Sequence, residues 1–244
     1  MRDVLILPFN QDEEIVLACD NSGAIGMKEE DAVKAPYEVV GYYSFRVAVM
    51  ECISAGAHPF AVTLQNFAGE KAWKELVSGI EKGKKELRLE DLKITGSTES
   101  NFTLFQSAIG VTVIGKKKKI RSLSRFETYS SDLEIAVIGS PLVGEEVFKQ
   151  ADEVAPLHLF HQICKLEAGI TIPVGSKGVL FELNQLFFHS SFKETELKTN
   201  LDLRKSSGPS TCFIVVYPQG KQEIIRGMSG HFFHPIGVKG EANG

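Results

Sequence analysis

A run of five apolar residues, Ile15-Val16-Leu17-Ala18-Cys19, meets Asp20-Asn21-Ser22-Gly23 with nothing between them. An uninterrupted apolar run of strand length suits a strand buried on both faces, and this one delivers a carboxylate at its C-terminal end. Gly23 and Gly26 then free the backbone to turn and to approach a ligand, and a loop carrying Lys28 and Asp31 follows. A lysine so placed can reach an anion that a metal on Asp20 also touches, although the same residues read equally as an ordinary surface turn. From Pro36 to Ala55 the spacing of Val39, Val40, Tyr43, Val47, Met50 and Ile53 predicts a helix, with Pro36 in its first turn and Gly56 as a left-handed cap. Glu51 falls near its C-terminal end, facing either solvent or the region of Asp20.

Length and charge narrow the possibilities. At 244 residues the chain holds one large domain or two of ordinary size, with a core that needs no disulfide support. A net charge of −4 and a pI near 5.9 provide no general attraction to nucleic acid or to an anionic membrane, so a small-molecule substrate is expected. Cys19, Cys52, Cys164 and Cys212 are widely separated, without Cys-x-x-Cys spacing, as in reduced cytosolic proteins. Met1-Arg2-Asp3 runs straight into Val4-Leu5-Ile6-Leu7, too short for a signal-peptide core, and no apolar run reaches membrane-spanning length. The expected location is the cytoplasm.

The remaining segments alternate. Val4 to Pro8 reads as a strand and Asn10 to Glu14 as a polar turn, with Asp12 to Glu14 either solvated or adding a carboxylate to a metal site. Phe60 to Asn66 reads as a strand, Glu70 to Leu87 as a helix and Phe105 to Gly115 as a long strand. Between the last two lies Ile94-Thr95-Gly96-Ser97-Thr98-Glu99-Ser100-Asn101. Small hydroxyl residues around a carboxylate suit phosphate and magnesium, and they suit turn capping as well. Lys116 to Lys119, with Arg121 and Arg125, reads as a solvated hairpin tip near a domain junction that divides 1–125 from 126–244. In the second half Leu133 to Gly139 is a strand, Gly144 to Asp152 a helix and Pro156 to Leu166 another. His158 and His161 share a face of that last helix, which packing explains better than metal. Ile172 to Phe181 is a glycine-rich turn bearing Lys177, without the spacing of a phosphate-binding P-loop, and Glu182-Leu183-Asn184 begins a short helix. Thr211 to Tyr217, Glu223 to Arg226 and Phe232 to Val238 complete the set as strands.

Asp20-Asn21-Ser22-Gly23 with Lys28, the helix end Ser54-Ala55-Gly56-Ala57-His58-Pro59, Gly96-Ser97-Thr98-Glu99 and the Phe105 to Gly115 strand together resemble the aminoimidazole ribonucleotide synthetase (PurM-like) superfamily. Gly175-Ser176-Lys177-Gly178 and Ser207-Gly208-Pro209-Ser210 extend the resemblance over most of the chain. It implies a mixed α/β, α+β fold of two domains, with the N-terminal strands forming a barrel across a homodimer. It also implies ATP and Mg2+ as cofactors. Asp20, Glu51 and Glu99 would then be the magnesium ligands, and Asp20 with Lys28 the catalytic groups. Asn21, Ser22, Gly23, Gly96, Ser97, Thr98 and Lys177 would bind the nucleotide. The chain departs from the family where an Asn-Asp pair is expected, because Met50 and Glu51 stand there, and the second domain is short and lacks an Asp-rich glycine motif.

These departures point to a compact kinase-like branch, with alpha-ribazole kinase of cobalamin assembly as the nearest pattern. The expected chemistry is phosphorylation of a nucleoside-like alcohol by ATP. Two alternatives stand beside it: an ATP-dependent synthetase or thiamine-monophosphate-kinase-like enzyme of the same superfamily, and a nucleotide-binding protein without chemistry, which Met50 would accommodate.

Overall fold

The structure is a computed structural model that describes residues 4–119, 126–166 and 169–239. Its contacts divide the chain into two compact units, Arg2–Arg121 and Ser122–Gly244. The expected boundary at 125/126 adjoins residues 120–125, which with Arg121 and Arg125 lie outside the described residues.

In the N-terminal unit, β1 (Val4–Pro8), β2 (Glu13–Gly23), β5 (His58–Asn66), β6 (Lys93–Thr98) and β7 (Ala108–Lys118) form a sheet in the order β1-β2-β7-β5-β6. Only β5 and β6 run parallel. Two-residue strands β3 (Ile25–Gly26) and β4 (Val33–Lys34) pair within the loop after β2, and helices α1 (Tyr37–Ser54) and α2 (Trp73–Glu86) complete the unit. Alternation along the strands sends Val16, Ala18, Val62, Leu64, Ile109, Val111 and Val113 to the side where α1 packs, and all are buried. Helix α1 is buried nearly all round, with Val40, Phe45, Ala48, Val49, Met50 and Cys52 in the core, because it lies between this sheet and α2. Its C-terminus is as expected: Gly56, at φ +80°, donates to the Ile53 carbonyl, and Ala57 donates to Cys52.

The strand around Ile15 differs from expectation. Val16 and Ala18 are buried, but Ile15 and Leu17 are half-buried and Cys19 is exposed, so one face of this strand is covered by the unit's helices and the other is open. Asp20 to Gly23 are no loop either: β2 continues through them, paired with Val111 to Ala108. The lysine run likewise continues β7 rather than forming a hairpin tip. Glu13 and Glu14 of β2 lie opposite it, with Lys116 to Glu13 at 2.9 Å and Lys117 to Glu14 at 3.7 Å, so opposite charges extend the ladder.

The C-terminal unit is built on an antiparallel sheet in the order β10-β12-β8-β11-β9. Its strands are β8 (Leu133–Ile138), β9 (Ile170–Pro173), β10 (Leu197–Lys198), β11 (Phe213–Pro218) and β12 (Phe233–Val238), and its helices α3 (Glu146–Lys149), α4 (Leu157–Lys165), α5 (Gly178–Gln185) and α6 (Gln222–Ser229). The Gly144 to Asp152 helix shrinks to α3 and a 3-10 turn, and α5 starts at Gly178, ahead of Glu182. Glu223 to Arg226 is helical, not a strand: Ile225 and Ser229, four apart, are buried, and one Ile-Ile pair does not distinguish a period of 2 from 3.6. Ser207 and Thr211 are buried and bind three loops. Their hydroxyls lie 2.8 Å apart, Thr211 Oγ1 donates to the Ser140 carbonyl at 2.8 Å and accepts from Leu142 N–H at 3.0 Å, and Ser207 N–H donates to Gly175.

Helices α1 and α2 meet at Gly41 and Gly79. A Cβ on Gly41 would collide with the Leu76 carbonyl, and one on Gly79 with the Glu38 carbonyl and Tyr42 N–H. Gly79→Ala should therefore lower stability by about 1–3 kcal/mol, although alanine is the better helix former. Urea unfolding with a reduced midpoint and unchanged slope is the expected result, and an unchanged midpoint would contradict this close contact.

Candidate functional site

Strands β2, β5 and β6 end at the same edge of the N-terminal sheet, where β7 begins. Register places Asp20 in one row with Val111, Leu64 and Gly96, and Ser22 in the next but one with Ile109, Asn66 and Thr98. The two motifs read from the sequence thus stand at the same level, on β2 and β6, three strand spacings or about 14 Å apart. Asp20, Ser22, Gly96 and Thr98 face the side where α1 lies, whereas Asn21, Gly23 and Ser97 face the other.

Asp20 is half-buried beneath α1. Burial pushes its carboxyl up to about 7, against the lowering effect of hydrogen bonds from the Ser44 hydroxyl and the Asn21 backbone N–H. A carboxyl kept near neutrality, on a strand that runs toward a loop-lined edge, is the strongest chemical feature of this unit.

The loops at that edge are joined by polar groups. Asp31, buried, accepts from Ser107 N–H at 2.6 Å, the Ser107 hydroxyl at 2.7 Å and Lys28 N–H at 2.8 Å. Burial alone would raise its pKa, but these hydrogen bonds, with the Lys34 charge, hold it below the ordinary aspartate value. Tyr37, in the first turn of α1, shares the Ser107 hydroxyl at 2.9 Å. Asn66, fully buried at the end of β5, donates to Thr98 Oγ1 at 3.1 Å and to the Gly69 carbonyl at 2.9 Å, and accepts from Ala68 N–H. Sequence reasoning assigned no role to Asp31, Asn66 or Ser107. Only Asn66-x-x-Gly69 at a strand end hinted at one, as an Asx-type turn.

Several expected site residues are placed otherwise. Lys28, expected on phosphate oxygens, is engaged by backbone: its Nζ donates to the carbonyls of Leu104, Phe67 and Gln106. Glu51 lies seven residues beyond Ser44, two turns and about 10 Å along the same stripe of α1. That end of the helix adjoins Lys117, whose Nζ donates to the Ala55 carbonyl, so Glu51 does not join Asp20. Glu99 caps its own turn, accepting from Asn101 N–H at 2.7 Å and Phe102 N–H at 3.2 Å. Among the described residues no three acidic, histidine or cysteine side chains form a metal-holding group. Gly96 is a packing requirement, since a Cβ there would strike the Leu64 carbonyl and the Trp73 ring. Met50 is fully buried in the core. In the C-terminal unit Lys177 precedes α5 with its Nζ 4.3 Å from the Phe181 ring centroid, and His158 is exposed.

No family model matches the chain, and neither does any curated protein. Solved structures do. The thiamine monophosphate kinase of Aquifex aeolicus is similar with a TM-score of 0.62 and 13% identity, over 98% of this chain and 88% of that one. A chain of the HypE–HypF complex gives 0.61 and 16%, over 98% and 88%. T. maritima PurL complexed with ADP gives 0.60 and 11% over 97% of this chain, which spans only 42% of PurL. At such identity the likeness establishes the fold, a mixed α/β architecture shared with these proteins. No helix among the described residues is long and apolar enough to cross a membrane.

The Asp20 carboxyl predicts a pH dependence. With a folded pKa of about 7 against an ordinary 3.8, it stays protonated in the fold where the unfolded chain has released the proton. Stability should therefore decline as pH rises from about 4 to about 7, and level off above. Asp20→Asn removes this decline, so in metal-free buffer the variant should match wild type near pH 4 and exceed it by about 2–4 kcal/mol at pH 8. Urea midpoints of both proteins across this range check it, and a variant that is the less stable at pH 8 would contradict the burial of a charge here.

Proposed function

We propose that this protein is an ATP- and magnesium-dependent small-molecule kinase of the aminoimidazole ribonucleotide synthetase superfamily. The observation that carries the reading is the likeness of 98% of the chain to a thiamine monophosphate kinase. Magnesium is commonly held by one or two carboxylates with the nucleotide's own phosphates, and a single half-buried aspartate suits that arrangement where a protein-only cage does not form. Such an ion supplies charge neutralisation at the transferring phosphoryl group. Asp20 must give up its proton to take a hard cation, so metal binding and turnover rise with pH through about 7. Asn21, Ser22 and Gly23 at the end of β2 and Gly96, Ser97 and Thr98 at the end of β6 bound the region assigned to the nucleotide. In this reading Lys28 positions the surrounding loops.

The acceptor is a nucleoside-like alcohol, and the resemblance in sequence favours alpha-ribazole, giving alpha-ribazole phosphate. Screening such alcohols for ADP release, with mass identification of the product, tests this. Turnover of another alcohol but not alpha-ribazole would remove the specific substrate and keep the kinase. Asp20→Asn keeps the side chain's size and removes its charge, and it should fold and lose about 10²-fold or more in turnover. Near wild-type turnover at all magnesium concentrations would place the metal elsewhere. A second reading, implied by the sequence resemblance to synthetases of the superfamily, has ATP phosphorylate an amide or carbonyl oxygen, which leaves as phosphate when a nucleophile attacks. Its product would carry no phosphate ester.

A homodimer belongs to the same proposal. On the face of the N-terminal sheet opposite α1, register lines up Leu5 with Leu17 and Ile114, and Leu7 with Ile15. Leu5 is 54% exposed and Leu7 42%, an uncovered apolar area suited to closing a barrel with a second copy. Light scattering at micromolar concentration should give twice the chain mass, and a monomer alone would refute this.

A further inference from the structure

The ammonium of half-buried Lys28 is held by backbone oxygens. Nζ donates to the carbonyl of Leu104 at 2.9 Å, of Phe67 at 3.2 Å and of Gln106 at 3.3 Å, which uses all the donors a lysine has. The oxygens come from two segments, one just after β5 and the other just before β7. Converging carbonyl oxygens repel one another unless a cation sits among them, and rings of carbonyls are how proteins hold potassium. We infer that these three carbonyls are a monovalent-cation site that the protein fills with its own tethered ammonium.

The surroundings support this. Lys28 is anchored at both ends: its backbone N–H donates to Asp31, which grips Ser107, and Gln106 Nε2 donates to the Glu30 carbonyl at 2.7 Å. Lys34 adds a second ammonium on the carbonyls of Lys28 and Glu29. Burial does not hold the segment before β7 in place, because Phe102 is 77% and Phe105 82% exposed. Polar clamps hold it, and the central one is a cation on carbonyls. Removing the Lys28 side chain opens a space lined by these oxygens, which potassium or free ammonium, being of similar size and charge, can enter.

The test uses the full chain and limited chymotrypsin cleavage, with mass spectrometry of cuts at Phe102, Leu104 and Phe105. Wild type and Lys28→Ala are compared in potassium, ammonium or choline chloride at equal ionic strength. Wild type should be cut at one rate in all three salts. In choline, Lys28→Ala should be cut about 10- to 100-fold faster, the effect of losing hydrogen bonds to a charged group on the population of the open segment. Potassium and ammonium should restore most of the protection. A variant that folds in potassium but not in choline would give the same support. The inference is overturned if Lys28→Ala resists cleavage in choline, if it is equally labile in potassium, if it folds in neither salt, or if wild-type protection itself requires potassium. Cleavage needs neither ATP nor turnover, so this result stands apart from the kinase reading.

Discussion

The close packing of α1 against the sheet on one side and α2 on the other sets the chemistry of the N-terminal unit. Three glycines permit it: Gly41 and Gly79 bring the helix backbones together, and Gly115 on β7 leaves room for Cys52 and Ala57. With the helix that near, Ser44 lies over Asp20 and its carboxyl is partly desolvated. Desolvation then outweighs the two hydrogen bonds Asp20 receives, and the group keeps its proton up to about pH 7. A carboxyl kept that way works against stability at neutral pH, as functional groups often do.

At the edge of the same sheet the balance of forces is reversed. Segments with large apolar side chains in solvent obtain little from burial, and their backbone is fixed by ions and hydrogen bonds. The Asp31 carboxylate with three donors, the Lys28 ammonium with three acceptors and the Asn66 amide at a strand end are satisfied networks of this kind. Each joins residues that are distant in the chain: Asp31 to Ser107, Lys28 to Phe67 and Leu104, Asn66 to Thr98.

The C-terminal unit uses the same device on a smaller scale. The Ser207-Gly208-Pro209-Ser210 stretch turns the chain into β11, and Ser207 with Thr211 binds the loops after β8 and β9 to the start of that strand. Hydroxyls suit both tasks, capping a turn and joining loops. Their neighbours in space decide which one they perform, and those neighbours are remote in sequence.

Local pattern was enough for the elements whose period is unambiguous. The helix from Tyr37 with its glycine cap, the helix ending at Glu86, and the strands at Val4, Phe60, Leu133 and Thr211 follow from spacing and from Pro and Gly. Asp20 as a strand-borne carboxylate was legible in the same way. The sequence could not tell that β2 runs on through Asp20 to Gly23, since the partner that extends it is Ala108 to Val111, nearly ninety residues away. Nor could it tell that Lys28 meets carbonyls or that Glu51 and Glu99 stand apart from Asp20, because a backbone oxygen has no signature in sequence and a carboxylate looks the same wherever it points. Periodicity is a property of neighbours along the chain, and the sequence alone determined what depends on it. Site membership is a property of neighbours across a sheet, and only the tertiary structure decided that.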